Sequence, residues 1–292
     1  MDNISLKALA KINLGLDVVR RRDDGYHEVR MIMQTINLFD RLEIKKIKES
    51  AIKIHTNLFF LPVNENNLVY KAAKLLIDEF GIQEGVSVGL TKKIPVAAGM
   101  AGGSTDAAAM LFGMNRLFGL GLSKKQLMER GVKIGADVPY CIMRGTALAE
   151  GIGDKLSPLP AMVKCPVLIA KPQISVSTKF VYQNLKLDDK TGHPDIDRLI
   201  EDIRNKDLKA VSDHMGNVLE SVTIPNYPVI SQIKEQMMDS GAVGSMMSGS
   251  GPTVFGLFDD SRTAQLAFGK IKRSGLAKQV YLTSIYNNNY PG

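Results

Sequence analysis

PVAAGMAGGSTDAAAM, residues 95–110, is the most informative segment of the chain. Three glycines in it permit a tight turn and a close approach of the backbone to a ligand, because glycine has no Cβ: Gly99, Gly102 and Gly103. Three residues of types that cap helix N-termini follow, ahead of an alanine run that favours a helix: Ser104, Thr105 and Asp106. The stretch therefore predicts a glycine-rich turn that leads directly into a capped helix.

Phosphate is the ligand that such a turn predicts. A helix that begins here points its unpaired N–H groups and the positive end of its dipole at the turn, and an oligophosphate matches that arrangement. The motif is not a P-loop, because neither Lys-Ser nor Lys-Thr follows the glycines, and it lacks the G-x-G-x-x-G spacing of dinucleotide folds. An alternative is a glycine-rich connection that only caps a buried helix.

Length and composition indicate a globular protein of two domains. The chain has 292 residues, more than one ordinary core accommodates, and we place the boundary near residues 158–160, so that the domains are 1–158 and 159–292. There is no apolar run of the roughly 18 residues that a membrane span needs, and no secretory signal or transit peptide. The two cysteines, Cys141 and Cys165, lie in apolar surroundings. We therefore expect a cytoplasmic protein without disulfides.

The net charge of +7 suits either a nucleic acid or an acidic small molecule as partner. The basic residues form short, scattered clusters, several of them followed by acidic residues, and the chain contains no Trp. A nucleic-acid binder more often has a basic stripe with interleaved aromatic residues. The distribution therefore favours an acidic small-molecule partner, with no nucleic acid and no membrane.

The first segment of the chain predicts a half-buried strand. Between residues 4 and 16 every even-numbered residue is apolar, and all the polar residues are odd-numbered, which is the pattern of a strand with one face in the core. Lys11 and Asn13 then lie side by side on the polar face, where an ammonium and an amide group could reach one ligand. A simple solvated face is the alternative.

A hairpin is predicted next, with its turn in RRRDDGYH, residues 20–27. Tyr26 and His27 follow the Asp-Gly turn, in a position for ligand recognition, although such a pair can also be an ordinary strand edge. Further on we expect a helix at residues 68–80 that ends at Gly81, a strand at 86–92, and a helix at 124–134 that begins with a capping box from Ser123 to Gln126.

That helix breaks at Gly135-Ala136-Asp137-Val138-Pro139, before an apolar passage. Asp137 is thus expected to be shielded from bulk water, and carboxylates held in that way usually have a cationic partner. Lys11 is a candidate for that partner. Beyond residue 160 the pattern indicates a mixed α+β domain: a strand at 166–171, helices at 178–185, 194–204, 207–222 and 228–240, a strand, turn and strand within 241–260, a helix at 262–274, a strand at 279–285 and a frayed tail at 287–292.

Five motifs, in this order, resemble the GHMP-type small-molecule kinases, the family that includes galactokinase, homoserine kinase, mevalonate kinase and phosphomevalonate kinase. They are ALAKINLGLDV (8–18), RRDDGYHEV (21–29), PVAAGMAGGSTDAAAML (95–111), GADVPYCIMRGTALAEGIGD (135–154) and MSGSGPTVF (247–255). Within the family, the resemblance is to members whose acceptor is a cytidine diphosphate-linked polyol. The turn departs from the usual family pattern through Ala97, Ala98 and Ala101, and through Thr105 after Ser104.

The resemblance implies an α+β fold of two domains, an N-terminal domain similar to the second domain of ribosomal protein S5 and a ferredoxin-like C-terminal domain, with the site in the cleft between them. It also implies an ATP-dependent kinase in which Asp137 accepts the proton of the acceptor hydroxyl group and Lys11 keeps that carboxylate ionised. The same resemblance places Mg²⁺ with ATP, near Ser104 or Thr105. We expect a monomer or a weak homodimer.

The other implied site residues fall into three sets. The ATP phosphates would be wrapped by Pro95, Val96, Ala97, Ala98, Gly99, Met100, Ala101, Gly102, Gly103, Ser104 and Thr105. The cytidine end of the acceptor would be held by Asn13, Tyr26, His27 and Tyr182. The nucleotide loop, residues 95–105, would be supported from the second domain by Gly249 and Gly251. Two alternatives remain open at this point: another kinase of the same family, acting on homoserine, mevalonate or a sugar, and a non-catalytic basic protein that binds RNA.

Overall fold

The computed structural model describes residues 2–188 and 191–287, and the chain forms two compact units. The first unit comprises Met1–Ala10, Leu38–Val96 and Ala101–Met143, and the second comprises Lys11–Asn37, Ala97–Met100 and Arg144–Gly292. Two long strands, β1 (Asn3–Arg21) and β2 (His27–Ile47), contribute residues to both units. The predicted domain boundary after residue 158 stays a prediction, and most of the tail predicted to fray, residues 288–292, lies outside the described residues.

The first unit combines a sheet with helices. Its strands follow the order β3-β4-β2-β1, in which β3 runs parallel to β4 and β4 runs antiparallel to β2. Helix α2 packs very close to this sheet, because a Cβ at Gly113 would overlap the side chain of Ile44. The elements not yet bounded are β3 (Ile52–Thr56), α1 (Leu68–Phe80), β4 (Gly85–Thr91), α2 (Gly102–Leu117), α3 (Lys124–Val132) and α4 (Val138–Met143).

The second unit contains a second sheet, with the strand order β11-β7-β10-β9 and antiparallel pairing throughout. Helices α9 and α10 pack on it. The unit also holds β5 and β6, which continue antiparallel from β2, and β8, which runs parallel to β1. Its elements are β5 (Thr146–Gly151), β6 (Lys155–Pro158), β7 (Pro166–Lys171), α5 (Thr178–Asn184), α6 (Ile196–Asn205), α7 (Leu208–His214), β8 (Gly216–Asn217), α8 (Glu220–Asn226), α9 (Val229–Met238), β9 (Gly244–Met247), β10 (Val254–Leu257), α10 (Ser261–Ser274) and β11 (Gln279–Ser284).

Several local predictions are confirmed. Helix α1 ends at Gly81, which adopts the left-handed conformation with φ 61°. The Ser123 hydroxyl accepts the Gln126 N–H and the Gln126 side chain accepts the Ser123 N–H, which completes the capping box of α3. The turn between β1 and β2 contains Gly25 with φ 84°.

The described part of the chain contains no helix both long and apolar enough to span a bilayer.

Two of the element predictions are wrong. The polar face of β1 is not solvated, because both faces of the strand are buried from Ala8 to Leu16. The helix predicted over 207–222 is instead α7, the short strand β8 and α8. The glycine-rich segment before residue 158 forms the β5–β6 hairpin, with positive φ angles at Gly151 and Gly153 in its turn.

Candidate active site

Strand β1 carries a buried polar pair in the second unit. Lys11 is 5% exposed and Asn13 is fully buried. The Lys11 ammonium donates to Oδ1 of Asn13 at 2.7 Å and to the carbonyl oxygen of Gly99 at 2.9 Å, and the Lys11 backbone N–H donates to the Met100 carbonyl at 3.3 Å. Burying an ammonium is costly unless it is hydrogen-bonded, and these contacts hold Lys11 in a buried, hydrogen-bonded position rather than a solvated one.

The Gly99 carbonyl is the point where three parts of the second unit meet. It accepts the Lys11 ammonium from β1 and also the Ser248 hydroxyl at 3.0 Å. Gly99 has φ 71°, and a Cβ there would overlap the Ser248 carbonyl oxygen. Any larger residue would therefore be strained in its backbone and would collide with Ser248. Glycine at this position allows the backbone in the middle of the predicted nucleotide loop to lie against Ser248 and to accept a hydrogen bond from Lys11.

The second glycine turn, residues 248–251, lies against Gly99. A Cβ at Gly249 would lie 3.4 Å from the Gly99 Cα and 3.6 Å from Oδ1 of Asn13. Asn217 holds this turn, since its side-chain amide donates to the carbonyl oxygens of Met247 at 2.9 Å and Gly249 at 2.8 Å. The structure thus brings Gly249 together with Lys11, Asn13 and Gly99. Gly251, with φ 86°, belongs to the same turn, and a Cβ there would lie 2.5 Å from the Met247 sulfur.

An aromatic pair lies in the same unit. The rings of His27 and Tyr182 have centroids 5.1 Å apart and are tilted by 48°. Burial and then the positive charge of Arg21 hold the pKa of His27 below its ordinary value, so the imidazole is neutral at neutral pH. Tyr26, by contrast, is 62% exposed in the turn. A neutral imidazole beside a phenol ring suits contacts with a planar heterocycle, which is the role the resemblance implies for His27 and Tyr182.

The nucleotide loop begins and ends in the first unit. Pro95 is buried and Val96 half-buried. Helix α2 starts at Gly102, with Ala101 as N-cap in the left-handed conformation (φ 54°) and no side-chain cap. The predicted cap is therefore wrong. Its three residues lie inside the first helical turns, where the Thr105 hydroxyl donates to the Leu9 carbonyl at 2.8 Å and the carboxylate of Asp106 is buried.

The absence of a side-chain cap has a chemical consequence. The first N–H groups of α2 have no acceptor within the helix, and no side chain caps them. A Cβ at Gly103 would meet only the side chain of Leu68, at 3.4 Å or more. The positive end of a helix with open N–H groups is a site for an anionic oxygen. Ser104, half-buried in the first turn, adds a hydroxyl group to it.

Asp137 belongs to the first unit and immediately precedes α4. Its backbone carbonyl accepts the Cys141 N–H at 3.0 Å, and the residue is half-buried. This degree of burial agrees with the prediction that the carboxylate is shielded but not lost in a core. Lys11 belongs to the second unit, and the predicted pairing of Lys11 with Asp137 stays a prediction.

Three side chains of these regions are not predicted as site residues from the sequence. Ser248 and Asn217 hold the Gly99 carbonyl and the second glycine turn. Lys92, counted only as part of a basic cluster, is buried between two carboxylates, those of Asp40 and Asp106. Ser248 lies within the motif at 247–255 but has no predicted role of its own, and no local pattern marks Asn217 or Lys92, because each acts through a partner far away in the sequence.

Comparison with known proteins covers nearly the whole chain. The family model "GHMP kinases N terminal domain" matches residues 67–145 and "GHMP kinases C terminal" matches residues 199–276. The 4-diphosphocytidyl-2-C-methyl-D-erythritol kinase of Lachnospira eligens is 58% identical over 98% of this chain and 99% of its own length. The kinase of the same name from Lachnoclostridium phytofermentans is 57% identical over 99% of each chain.

Solved structures agree with this result. A crystal structure of 4-(cytidine 5'-diphospho)-2C-methyl-D-erythritol kinase matches with a TM-score of 0.85 and 29% identity, over 98% of this chain and 100% of that one. Homoserine kinase from Cytophaga hutchinsonii matches with a TM-score of 0.80 over 99% of this chain and 96% of that one. Its identity is 20%, so this second match concerns the fold alone. The predicted two-domain α+β fold is confirmed.

Proposed function

The chain belongs to the GHMP kinase family, and we propose that it phosphorylates the 2-hydroxyl group of 4-diphosphocytidyl-2-C-methyl-D-erythritol with ATP. The observation that carries this proposal is the identity of 58% and 57% with kinases of that name, over nearly the full length of each chain. The reaction is a step of the non-mevalonate route to isoprenoid precursors. Homoserine and mevalonate kinases share the fold, but at 20% identity or less.

Asp137 acts as the general base. It accepts the proton of the acceptor hydroxyl group as the oxygen attacks the γ-phosphorus. Lys11 is its electrostatic partner, which keeps the carboxylate ionised and stabilises the negative charge that develops during transfer. The hydrogen bonds from Lys11 to Asn13 and to the Gly99 carbonyl support this role, because they hold the ammonium rigidly in a buried position. Positioning and charge neutralisation supply most of the acceleration in phosphoryl transfer.

The nucleotide loop, residues 95–105, binds the phosphates of ATP. The open N–H groups at the start of α2 and the absence of a Cβ at Gly102 and Gly103 support this assignment. Ser104 is the better candidate to assist Mg²⁺, because the Thr105 hydroxyl already donates to Leu9 and Thr105 is 2% exposed. Within the described residues no group of three Asp, Glu, His or Cys side chains could hold a metal ion. This fits an ion held chiefly by phosphates and water, where it neutralises phosphate charge.

The cytidine end of the acceptor binds to Asn13, Tyr26, His27 and Tyr182. The tilted pair of His27 and Tyr182 offers ring faces for stacking on the base, and the neutral imidazole offers one donor and one acceptor for its edge. Gly249 and Gly251 support the nucleotide loop. Both substrates are polyanions, which suits the net charge of +7. We also propose that the enzyme acts in the cytoplasm as a monomer or weak homodimer, without nucleic acid or membrane.

A direct activity assay tests the proposal. The purified chain is incubated with ATP and Mg²⁺ and with one of three acceptors: the cytidylylated methylerythritol, mevalonate or homoserine. We expect a new phosphomonoester signal in ³¹P NMR with the first acceptor, at a kcat/KM at least about 10³ times that of the others, as expected for a site with specific polar contacts. Faster transfer to mevalonate or homoserine would overturn the acceptor assignment. Salt-sensitive RNA binding without any transfer would favour the non-catalytic alternative.

A further inference from the structure

A serine hydroxyl of the second glycine turn shares its acceptor with Lys11. The Ser248 hydroxyl donates to the Gly99 carbonyl oxygen at 3.0 Å, and the same oxygen accepts the Lys11 ammonium at 2.9 Å. A carbonyl oxygen has two lone pairs, so these two donors together saturate it. Because all three residues belong to the second unit, Ser248 connects the second glycine turn to the lysine through a single oxygen atom.

The second glycine turn holds the Ser248 hydroxyl in a fixed place. The Ser248 backbone N–H donates to the Thr253 carbonyl at 2.9 Å, and the Ser248 carbonyl accepts the Gly251 N–H at 3.0 Å. The next residue is also held, since the Asn217 side-chain amide donates to the Gly249 carbonyl at 2.8 Å. Groups that are locked by their own hydrogen bonds can position a partner accurately. The turn therefore presents the hydroxyl from a restrained backbone.

The Gly99 carbonyl requires an external restraint. Glycine adopts a wide range of backbone conformations, and the direction of this carbonyl group is therefore not fixed by Gly99 itself, which has φ 71°. Ser248 restrains it in two ways. Its hydroxyl binds the carbonyl oxygen, and its own carbonyl oxygen occupies the position that a Cβ of Gly99 would take.

The orientation of the Lys11 ammonium depends in turn on Gly99. Lysine carries its charge on a flexible four-carbon stem and has three N–H donors. Two of them are directed to Oδ1 of Asn13 at 2.7 Å and to the Gly99 carbonyl. Two fixed N–H bonds on a tetrahedral nitrogen also fix the direction of the third. If the Gly99 carbonyl turned away, the ammonium could rotate about its bond to Asn13.

We propose that Ser248 is a positioning residue for Lys11, which it orients through the shared carbonyl oxygen of Gly99. This inference rests on the proposed function in taking Lys11 as the charge that assists phosphoryl transfer. A charge is effective in the transition state when its position is fixed beforehand. Ser248 is fully buried, so it acts on the lysine and makes no contact with a substrate.

The experiment measures steady-state kinetics of the full chain with ATP, Mg²⁺ and the cytidylylated methylerythritol, for the wild type and for Ser248→Ala. The substitution removes one hydroxyl group and leaves the Gly99 carbonyl with the Lys11 donor, so no acceptor loses all its donors. We expect kcat to fall about tenfold, the scale of one hydrogen bond that acts in the transition state. Both KM values should stay within about twofold of the wild type, because the change affects transfer and not binding.

A second background makes the test specific to the lysine. In Lys11→Met there is no ammonium to orient, so adding Ser248→Ala should change kcat by less than about twofold. Gly99 is half-buried, and water can replace the missing donors in this double variant. Ser245→Ala is the matched control, since the Ser245 hydroxyl donates instead to the Phe255 carbonyl at 3.1 Å. Its kcat should equal that of the wild type.

Three results would overturn the inference. They are a nearly wild-type kcat in Ser248→Ala, a higher KM for ATP at unchanged kcat, which would mean that the hydroxyl supports only the nucleotide loop, and an equal loss with and without Lys11, which would mean a purely structural role. Urea unfolding shows whether each variant is folded. Ser248→Cys keeps the side-chain shape with a weaker donor, and the same loss of kcat is expected of it if Ser248→Ala does not fold. A wild-type chain that transfers no phosphate would contradict the proposed function and this inference with it, whereas the three results above, in an active enzyme, contradict the inference alone.

Discussion

Replacement of Lys11 by methionine is the sharpest test of the catalytic assignment. Methionine has nearly the same length but removes the charge and the hydrogen-bond donors of the ammonium. The Lys11 ammonium is fixed by Oδ1 of Asn13 at 2.7 Å and the Gly99 carbonyl at 2.9 Å. A unit charge held about 4 Å from a developing negative charge contributes about 4 kcal/mol at an effective dielectric constant of 20. We therefore expect kcat to fall by about 10² to 10³.

The same change has a separate and smaller effect on stability. The Asn13 amide oxygen loses the Lys11 donor while fully buried, which costs about 1–3 kcal/mol of the free energy of unfolding. The Gly99 carbonyl keeps the Ser248 hydroxyl at 3.0 Å. Removing the desolvation cost of the ammonium offsets part of this loss. Urea unfolding measures the change, and kcat must be compared at temperatures where both proteins are folded.

The assay couples ADP formation to a spectroscopic signal, at saturating ATP and acceptor. Lys7→Met is the matched control, since Lys7 lies on the same strand but is exposed, and its kcat should equal that of the wild type. Asp137→Asn should lower kcat by about 10² or more. If Lys11 and Asp137 act as a unit, the double variant should be within about threefold of the poorer single variant. A Lys11→Met enzyme with nearly wild-type kcat would contradict the role of Lys11, and losses that multiply in the double variant would mean that Lys11 and Asp137 act independently.

Two further predictions concern the two substrates. In Gly102→Val the new Cβ meets the Lys92 ammonium and the Ile94 side chain at 3.3 Å, so the start of α2 must shift and the KM for ATP should rise about tenfold or more. An unchanged ATP KM in a folded variant would show that the loop is only a connection. In His27→Ala the KM for the acceptor should rise about tenfold, or about 1.4 kcal/mol, with little change for ATP. Equal increases of KM for both substrates would instead indicate a structural role for His27. In a separate experiment, CMP or CDP should compete with the acceptor.

Sequence patterns predicted the helices and strands more accurately than they predicted which faces of these elements are buried. Alternation along β1 correctly identified a strand and placed Lys11 beside Asn13. It could not show that both faces are covered, because period two reveals which residues share a face and nothing about what packs on each face. Helix α6 covers one face at Gly15, where an added Cβ would lie 2.8 Å from the side chains of Ile196 and Leu199.

Helix boundaries failed where a distant partner overrides local propensity. The helical pattern over residues 207–222 is interrupted because Gly216 and Asn217 pair with Gly15 and Leu16 of β1, about 200 residues earlier. The start of α2 failed for a different reason. Ala101 adopts a left-handed conformation that alanine rarely takes, so its identity carried no signal, whereas the residues after it are typical caps.

The strongest functional signal came from the ordered motifs. The residues that were missed share one property, which is that their partners lie far away in the sequence. Lys92 lies 52 residues from Asp40 and 14 from Asp106, and Ser248 lies 149 residues from Gly99. From the sequence alone, a charged residue is interpreted through its neighbours, and Lys92 followed by Lys93 resembles a pair of solvated lysines. Burial reverses that interpretation, since a buried lysine needs carboxylate partners and burial raises the pKa of a carboxylate such as Asp106. Local rules therefore fail where charges are buried beside the proposed phosphate site, which is where function accepts a cost in stability.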